Sequence, residues 1–267
     1  PLAQAAYPEQ PIKMIVAYSA GGGTDLVARL LAQTMQKYLG PNAAVVVVNR
    51  PGAGGAIGFS ELSSARADGY TIGFINTPNV LTIPIERKSN FHWQNYDLLG
   101  NIVDDPGNFS VHADSPIKTM SDLLAYAKAQ PGKLNFAIGA LGSSLHLAGD
   151  AFKMKAGVYI VNIPYRGTAP AVQDVLAGQV QLMFAAVGNV QQHIRSGKLI
   201  ALGVTSPKRL PTLPDVPAIA EVLPGYESTA WFGLFAPAKM PPELAKRYAD
   251  AARAAVLSAD VKRRIEA

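Results

Sequence analysis

The stretch IKMIVAYSAGGGTDLVARLLAQTM, residues 12–35, decides the fold. It opens with a short, mainly apolar run, residues 12–17, which is typical of a buried strand. The run breaks at small residues, and apolar side chains then recur at helical spacing from Leu26. A buried strand, a glycine-rich loop and an amphipathic helix together indicate the first unit of a parallel α/β sheet.

The same order of elements repeats along the chain. Two further apolar strands are predicted at residues 44–48 and 70–75, with a helix between them. Since these strands show no polar alternation, helices must cover both faces of their sheet. Residues 82–97 show no clean period, and we predict a long connection there. A second series of strands follows, predicted at residues 109–112, 134–138, 158–163, 180–186 and 199–205.

These two series predict an α/β protein with two Rossmann-like lobes. The series join near residues 98–110, and the chain returns near 224–236 after a proline-rich connection. We therefore predict that lobe 1 comprises residues 1–104 plus 224–267, and that lobe 2 comprises residues 105–223. Two chain crossings between two lobes indicate a hinge and a ligand cleft.

The composition excludes several classes of protein. The 267 residues are 49% hydrophobic and only 16% charged, which is typical of a chain with real cores. The net charge is +5, but the basic residues are scattered and form no stripe with aromatic side chains, so we predict no nucleic-acid binding. The absence of cysteine and the separation of the four histidines argue against thiolate chemistry and a metal site.

Two glycine-rich loops match known motifs only in part. Residues 17–21 are close to the nucleophile elbow of α/β hydrolases, but three residues intervene before the helix, and the last seventy-four residues contain no histidine. Residues 52–58 lack the third glycine of a dinucleotide-binding fingerprint because Ile57 occupies that position. A serine esterase that uses Ser19 is kept as an alternative function.

Three loops place small residues at predicted helix starts: residues 18–25, 52–55 and 139–144. A helix start presents unpaired N–H donors and a partial positive charge, and glycine and serine let an anion approach the backbone. Any one such loop is ordinary in an α/β protein, whereas three of them in two lobes favour an anion site. The loops contain no lysine, so backbone dipoles and hydroxyls are predicted to bind a carboxylate.

Short phrases in a fixed order cover nearly the whole chain. They include NRPGAGG at 49–55, ADGYT at 67–71, PGKL at 131–134, HLAG at 146–149, PYRG at 164–167 and LPDVP at 213–217. Together they resemble the solute receptors of tripartite tricarboxylate transporters, the Bug or TctC family. One phrase alone is weak, but the ordered set is highly specific.

The resemblance implies a type II periplasmic-binding-protein fold, whose lobes close on the ligand in the manner of a Venus flytrap. It implies a monomeric, non-catalytic receptor without a cofactor. Such a receptor captures a small mono- or dicarboxylate, aliphatic or aromatic, and delivers it to membrane transporter subunits. A ligand-sensing partner of a signalling receptor remains an alternative. Residues 3–5, Ala-Gln-Ala, have the form of a signal-peptidase site, so we expect a periplasmic chain whose signal peptide has been removed.

The resemblance also implies ligand-binding residues in both lobes. In similar proteins the first glycine loop holds one carboxylate, and the helix starts of the second lobe hold the other end of the ligand. Carried over to this chain, the predicted contacts of lobe 1 are Tyr18, Ser19, Gly21, Gly22, Asp25, Ala53, Gly54 and Thr77. Those of lobe 2 are Ser143, Ser144, Thr168, Ala169 and Ala185.

The chain departs from the family pattern at several of these positions. Ala17, Ser19 and Ala20 stand where family members usually carry prolines. Ala185 stands where many members carry an aspartate that could hold an amine, so we do not expect an amino-acid ligand. Asp25 has an alternative role as the cap of its helix. The chain also ends some tens of residues earlier than similar proteins.

Overall fold

A computed structural model describes residues 7–21, 23–139, 142–165 and 168–266 of the chain. The predicted signal-peptidase phrase at residues 3–5 lies outside these ranges. The chain forms two compact units: unit 1 is Pro1–Asp104 with Trp231–Ala267, and unit 2 is Asp105–Ala230. Among the described residues, no helix is long and apolar enough to cross a membrane.

Strands and helices alternate along most of the chain. From the N-terminal end they are β1 (Ile12–Val16), α1 (Gly23–Leu39), β2 (Val45–Asn49), α2 (Ala56–Ser63), β3 (Thr71–Asn76), α3 (Asn79–Glu86) and β4 (Tyr96–His112). They continue with α4 (Met120–Ala129), β5 (Asn135–Ile138), α5 (Ser144–Ala156), β6 (Val161–Pro164), α6 (Thr168–Leu176), β7 (Leu182–Ala186), α7 (Val187–Arg195) and β8 (Leu199–Val204). The last are β9 (Thr229–Pro237), α8 (Pro242–Leu257) and α9 (Ala259–Glu266).

Unit 1 is organised around a parallel trio of strands, in which β1 lies between β2 and β3. The next neighbour of β3 is β9, which runs antiparallel to it, and β9 in turn pairs with β4. Successive side chains of β1 point to opposite faces of the sheet. Met14 and Val16 pack with α1 and α8, whereas Ile15 packs with α2 and α3. Helices on both faces explain why β1 is apolar without alternation.

Unit 2 repeats this plan with its own sheet. β5 lies between β6 and β7 and is parallel to both, and the second half of β4 pairs antiparallel with β7 and β8. Four phenylalanines form the centre of the core. The ring of Phe109 lies 4.6 Å from that of Phe184, 4.7 Å from that of Phe152 and 5.7 Å from that of Phe136. This aromatic cluster joins β4, β5, β7 and α5.

The first boundary between the units falls after Asp104. The return to unit 1 falls at Trp231, seven residues after the predicted position 224. Tyr226 explains this difference, because it is buried in the core of unit 2. Its hydroxyl donates to the Ala148 carbonyl at 2.9 Å, and its ring meets that of Phe152 edge-on at 6.1 Å.

The connection predicted at residues 82–97 is shorter in the structure. α3 runs to Glu86 and β4 begins at Tyr96, so the connection is confined to residues 87–95. α3 escaped the sequence pattern because it is short and contains Pro84. β4 is 17 residues long, rather than the short strand predicted at 109–112. It extends across the boundary between the units because β9 pairs with it in unit 1 and β7 and β8 pair with it in unit 2.

We expect Phe109→Ala to lower the free energy of unfolding of unit 2 by about 3–5 kcal/mol, because it removes a ring that contacts three others and leaves a cavity. Chemical denaturation with a core fluorescence probe measures the change. Met154→Ala serves as the control, since this side chain is 84% exposed and its loss should cost less than about 0.5 kcal/mol. Equal effects of the two substitutions would contradict the assignment of the core.

Candidate functional site

In unit 1 the predicted site residues collect where β1, β2 and β3 end. Val16 of β1 is in register with Asn49 of β2 and Phe74 of β3, so the loops that follow leave the sheet at one edge. These loops carry Tyr18 to Gly21, Ala53, Gly54 and Thr77. In open α/β sheets, ligands bind outside the carboxyl ends of the strands. This edge is therefore the candidate site of unit 1.

The first loop is held by the Asp25 carboxylate, which lies in the first turn of α1 and is buried. One carboxylate oxygen accepts the Gly21 N–H and the Arg29 Nε–H, both at 2.9 Å. The other oxygen accepts the Asn49 side-chain amide at 2.8 Å. The same amide nitrogen donates to the Tyr18 carbonyl at 2.9 Å, and Arg29 donates to Asn49 Oδ1 at 2.9 Å. Asp25 therefore holds its own loop, from the first turn of a helix that begins at Gly23.

Burial alone would raise the pKa of the Asp25 carboxyl group. The hydrogen bonds from Arg29, the Gly21 N–H and Asn49 outweigh burial and hold the pKa below its ordinary value. Because the pKa of the Asp25 carboxyl group is lower in the folded protein than in the unfolded chain, ionisation of this group stabilises the folded state. This stabilisation is present above the pKa of the unfolded chain and is lost as the pH falls through the folded pKa.

We expect Asp25→Asn to lower the free energy of unfolding at neutral pH by about 2 kcal/mol, because its charge-assisted hydrogen bonds are lost or weakened. The difference between wild type and variant should shrink as the pH falls below the ordinary pKa of an aspartate, about 4, toward the lower pKa of folded Asp25. Denaturation midpoints between pH 3 and pH 7 measure this. Asp114→Asn, at a side chain that is 93% exposed, is the matched control. A difference that stayed constant with pH would overturn this role for Asp25.

The second loop has an unusual backbone. Four consecutive residues have positive φ: Gly52 at 132°, Ala53 at 49°, Gly54 at 70° and Gly55 at 104°. Glycine adopts such angles freely, whereas alanine does so rarely. Ala53 and Gly54 are exposed, and neither of their N–H groups donates to an acceptor in the described part of the chain. The loop thus presents two free backbone donors beside the start of α2.

The Tyr18 hydroxyl lies against this second loop. A methyl group on Gly55 would come within 3.4 Å of the hydroxyl oxygen. The hydroxyl is buried and donates to no acceptor among the described residues, and Asn76 Oδ1 is likewise buried without a donor. Burial raises the pKa of Tyr18 to about 12, an effect that the interaction of the Asn76 side-chain amide with the tyrosine oxygen partly offsets. Tyr18 therefore keeps its proton at neutral pH and has a donor to offer.

The other predicted residues of unit 1 are placed in different ways. Ser19 is exposed in the first loop, and Gly22 lies outside the described residues. Thr77 is tied to β9, because its N–H and its Oγ1 bond the carbonyl and the N–H of Trp231, both at 3.1 Å. Sequence reasoning missed Asn49 and Asn76. An amide residue as the last residue of a buried parallel strand is the signal that could have found them.

In unit 2 two predicted helix starts follow neighbouring strands. Ile138 and Pro164, the last residues of β5 and β6, are in register, and α5 and α6 begin after them. Ser143 caps α5, where its hydroxyl accepts the His146 N–H at 3.2 Å. His146 Nδ1 in turn accepts the Gly142 N–H at 3.0 Å. Ser143, Ser144 and Thr168 are half-buried and Ala169 is exposed, so the structure brings these predicted residues to one edge.

A polar cluster supports the start of α5 from the side. His146 Nε2 lies 3.2 Å from Asp150 and 3.0 Å from the Asn162 amide. Lys153 bonds Asp150 at 2.6 Å and Asn162 at 2.8 Å. Burial would raise the pKa of Asp150, but the hydrogen bonds from Lys153 and Asn162 and the proximity of His146 hold it below its ordinary value. No group of potential metal ligands occurs within the described ranges.

Ala185 differs from its predicted place among the ligand contacts. It lies within β7, and its methyl group is fully buried with Val172 of α6 and Val190 of α7. Its carbonyl accepts the Asn108 side-chain amide at 3.1 Å. β7 is an inner strand covered by helices, so its sequence shows no alternation that would reveal which way Ala185 points.

Comparison with known proteins identifies the family. The chain matches the profile of the tripartite tricarboxylate transporter family receptor over residues 27–265. The chain belongs to this family. Its relative BugT of Bordetella pertussis is 37% identical over 251 residues, which are 91% of this chain and 76% of BugT.

Solved structures that are similar to this chain have the same fold. A TctC solute-binding protein from Polaromonas, without ligand, is 29% identical with a TM-score of 0.88, over 97% of this chain and 88% of the other. An R. palustris protein with adipate is 30% identical with a TM-score of 0.75, over 97% and 87% of the two chains. MatC of Rhodopseudomonas palustris with bound malate is 27% identical with a TM-score of 0.75, over 97% and 89%.

These similarities confirm the predicted family and the α/β periplasmic-binding-protein fold. The family consists of solute-binding receptors rather than enzymes, so the prediction of a non-catalytic protein is confirmed as well. The alternative of a serine esterase that uses Ser19 finds no support. Homologues of this chain are periplasmic binding proteins.

Proposed function

We propose that this chain is a periplasmic receptor that captures a small organic carboxylate for uptake through the membrane subunits of a tripartite tricarboxylate transporter. The observation that carries the proposal is the Tyr18 hydroxyl, a buried donor without an acceptor among the described residues, at the loop edge of unit 1. The loop that this hydroxyl adjoins also carries the N–H groups of Ala53 and Gly54, which have no acceptor in the described part of the chain.

Neutral donors would then bind the carboxylate. The two arginines nearest to the loops in sequence are already engaged by carboxylates of the protein: Arg29 pairs with Asp25 at 2.9 Å and Arg50 with Glu61 at 2.7 Å. Hydrogen bonds from N–H and O–H groups to an anion are stronger than those to a neutral acceptor. Several such donors can therefore replace an ion pair without the desolvation of a cationic side chain.

The first loop is fixed by hydrogen bonds within the protein. Because the Gly21 N–H and the Tyr18 carbonyl are tied to Asp25 and Asn49, the loop keeps its shape without a ligand. We propose that Asp25 acts through this loop rather than by touching the ligand, since both of its oxygens already accept hydrogen bonds. Tyr18, Ser19, Gly21, Ala53 and Gly54 are then the proposed contacts of unit 1.

In unit 2 the starts of α5 and α6 supply the same kind of donor. The first N–H groups of a helix lack partners within the helix and carry a partial positive charge. Ser144, Thr168 and Ala169 stand at these starts, and the capping of α5 by Ser143 fixes its first turn. We propose that these residues bind carboxylate oxygens as well. The position of Ala185 in the core makes it a packing residue of this unit.

Similarity to the two liganded receptors favours a dicarboxylate. Adipate and malate, bound in those structures, both carry two carboxylates but differ in chain length and in the hydroxyl of malate. We further propose that the receptor is monomeric and lies in the periplasm, as its homologues do.

We expect titration calorimetry to detect binding of at least one acid in a panel of adipate, malate, succinate and benzoate. At a hundredfold excess over Kd the bound acid should stabilise the protein by about 2.7 kcal/mol, visible as a higher melting temperature. Glucose and glutamate are the controls, and neither should bind. Binding of glucose in place of every acid would reject the carboxylate assignment.

We expect Tyr18→Phe to weaken binding of that acid by about tenfold, because a donor to a charged group is removed. The folded state should lose no stability, since the deleted hydroxyl has no partner in the described protein. Tyr96→Phe is the matched control. The Tyr96 hydroxyl donates to the Phe59 carbonyl at 2.8 Å, so its removal should lower stability by about 1 kcal/mol and leave affinity unchanged. The reverse pattern would remove Tyr18 from the site.

A further inference from the structure

The left-handed backbone of the second loop has two anchors that sequence reasoning did not find. Arg87 donates from its guanidinium to the Ala53 carbonyl at 2.6 Å. Asn79 donates from its side-chain amide to the Gly54 carbonyl at 2.8 Å. Asn79 begins α3 and Arg87 directly follows it, so the two ends of one helix hold two successive carbonyls. A bond within the loop, from the Gly55 N–H to the Gly52 carbonyl at 2.9 Å, completes the turn.

These bonds act on the peptide planes that carry the N–H groups of the loop. The Ala53 carbonyl accepts from Arg87 and also from the Ala56 N–H, and it shares its peptide plane with the Gly54 N–H. The Gly54 carbonyl accepts from Asn79 and shares its plane with the Gly55 N–H, which donates to the Gly52 carbonyl in the plane of the Ala53 N–H. Arg87 therefore acts directly on the direction of the Gly54 N–H, and Asn79 acts through Gly55 on that of the Ala53 N–H; neither N–H has an acceptor among the described residues.

We propose that Arg87 and Asn79 are positioning residues of the carboxylate site, which hold the second loop so that the N–H groups of Ala53 and Gly54 are set for the ligand. This inference rests on the proposed function. We do not propose that either residue contacts the ligand. Both are more than 20 residues from the loop along the chain, which is why the loop motif does not include them.

Ala53 makes the anchors necessary. Its φ of 49° lies in the left-handed region, which an alanine disfavours by roughly tenfold or more against the right-handed region. Without Arg87, the Ala53 carbonyl keeps only the Ala56 N–H as a donor, so the left-handed conformation of Ala53 and the direction of the Gly54 N–H are held less firmly. Preorganised donors bind an anion better than donors that must be ordered on binding. Glycine at position 53 has no such preference and should tolerate the loss of the anchor better.

Two variants separate positioning from simple electrostatic attraction. Arg87→Met removes the anchor together with one positive charge, whereas Lys88→Met removes one positive charge from the adjacent exposed residue. With adipate and malate as probes, we expect Arg87→Met to weaken binding of whichever binds the wild type by about tenfold. Lys88→Met should stay within about twofold of wild type, because screening weakens attraction between exposed charges. Equal losses in the two variants would overturn the positioning role.

A second substitution that restores binding to Arg87→Met provides the decisive comparison. The double variant Arg87→Met with Ala53→Gly should bind more tightly than Arg87→Met alone, because the backbone preference that opposed the loop is gone. Asn79→Ala should weaken binding in the same way as Arg87→Met. A double variant that binds no better than Arg87→Met would contradict the inference. Melting temperatures of all variants serve to exclude general unfolding.

A measurement without ligand keeps this test independent of the proposed function. The three-bond coupling between the amide proton and the α proton of Ala53, with its carbon chemical shifts, reports φ in solution. We expect a positive φ in the wild type and in Lys88→Met, and a shift toward negative φ in Arg87→Met. A wild type that binds none of the acids would reject the proposed function alone. An unchanged Ala53 signal in Arg87→Met would reject the positioning role alone.

Discussion

The parallel register of β1 with β2 and β3 is the constraint on which the site of unit 1 depends. It sets Val16 beside Asn49 and Phe74, so the chain leaves three neighbouring strands at one level. Asn49 then reaches both the Tyr18 carbonyl and the Asp25 carboxylate, which ties the loop after β1 to the end of β2. A shift of one residue in this register would turn Asn49 to the other face of the sheet and break both bonds.

The first and second loops at this edge are held by side chains of opposite charge. The carboxylate of Asp25 accepts an N–H group of the first loop, whereas the guanidinium of Arg87 donates to a carbonyl of the second. The choice follows from the backbone groups that need a partner. In the first loop Asp25 accepts the Gly21 N–H and Asn49 donates to the Tyr18 carbonyl. The second loop is held through its carbonyls, so that the N–H groups of Ala53 and Gly54 have no acceptor among the described residues.

The sequence predicted the features that depend on local pattern, and it missed those that depend on tertiary contacts. The apolar runs that became β1 and β3 were recognisable because a strand covered on both faces needs no polar residue. α3 was missed because Pro84 interrupts a helix too short to show a period. Ala185 was misplaced because residues 182–185 of β7 are all buried, so no alternation shows which side faces the loops. Arg87 lies 34 residues from Ala53, a separation that no motif spans.

Neutral donors, as proposed for unit 1, constrain a ligand differently from an arginine. An arginine fork fixes the position and the plane of the carboxylate that it binds. Backbone N–H groups and a tyrosine hydroxyl would bind one carboxylate of the proposed ligand without contacting the rest of it, so the length of the acid would be set by other groups. Because no arginine fork fixes the carboxylate, the protein itself must hold the neutral donors in place. In unit 1 this support comes from the hydrogen bonds that fix both loops before any ligand arrives, and these belong to residues that need never touch the ligand.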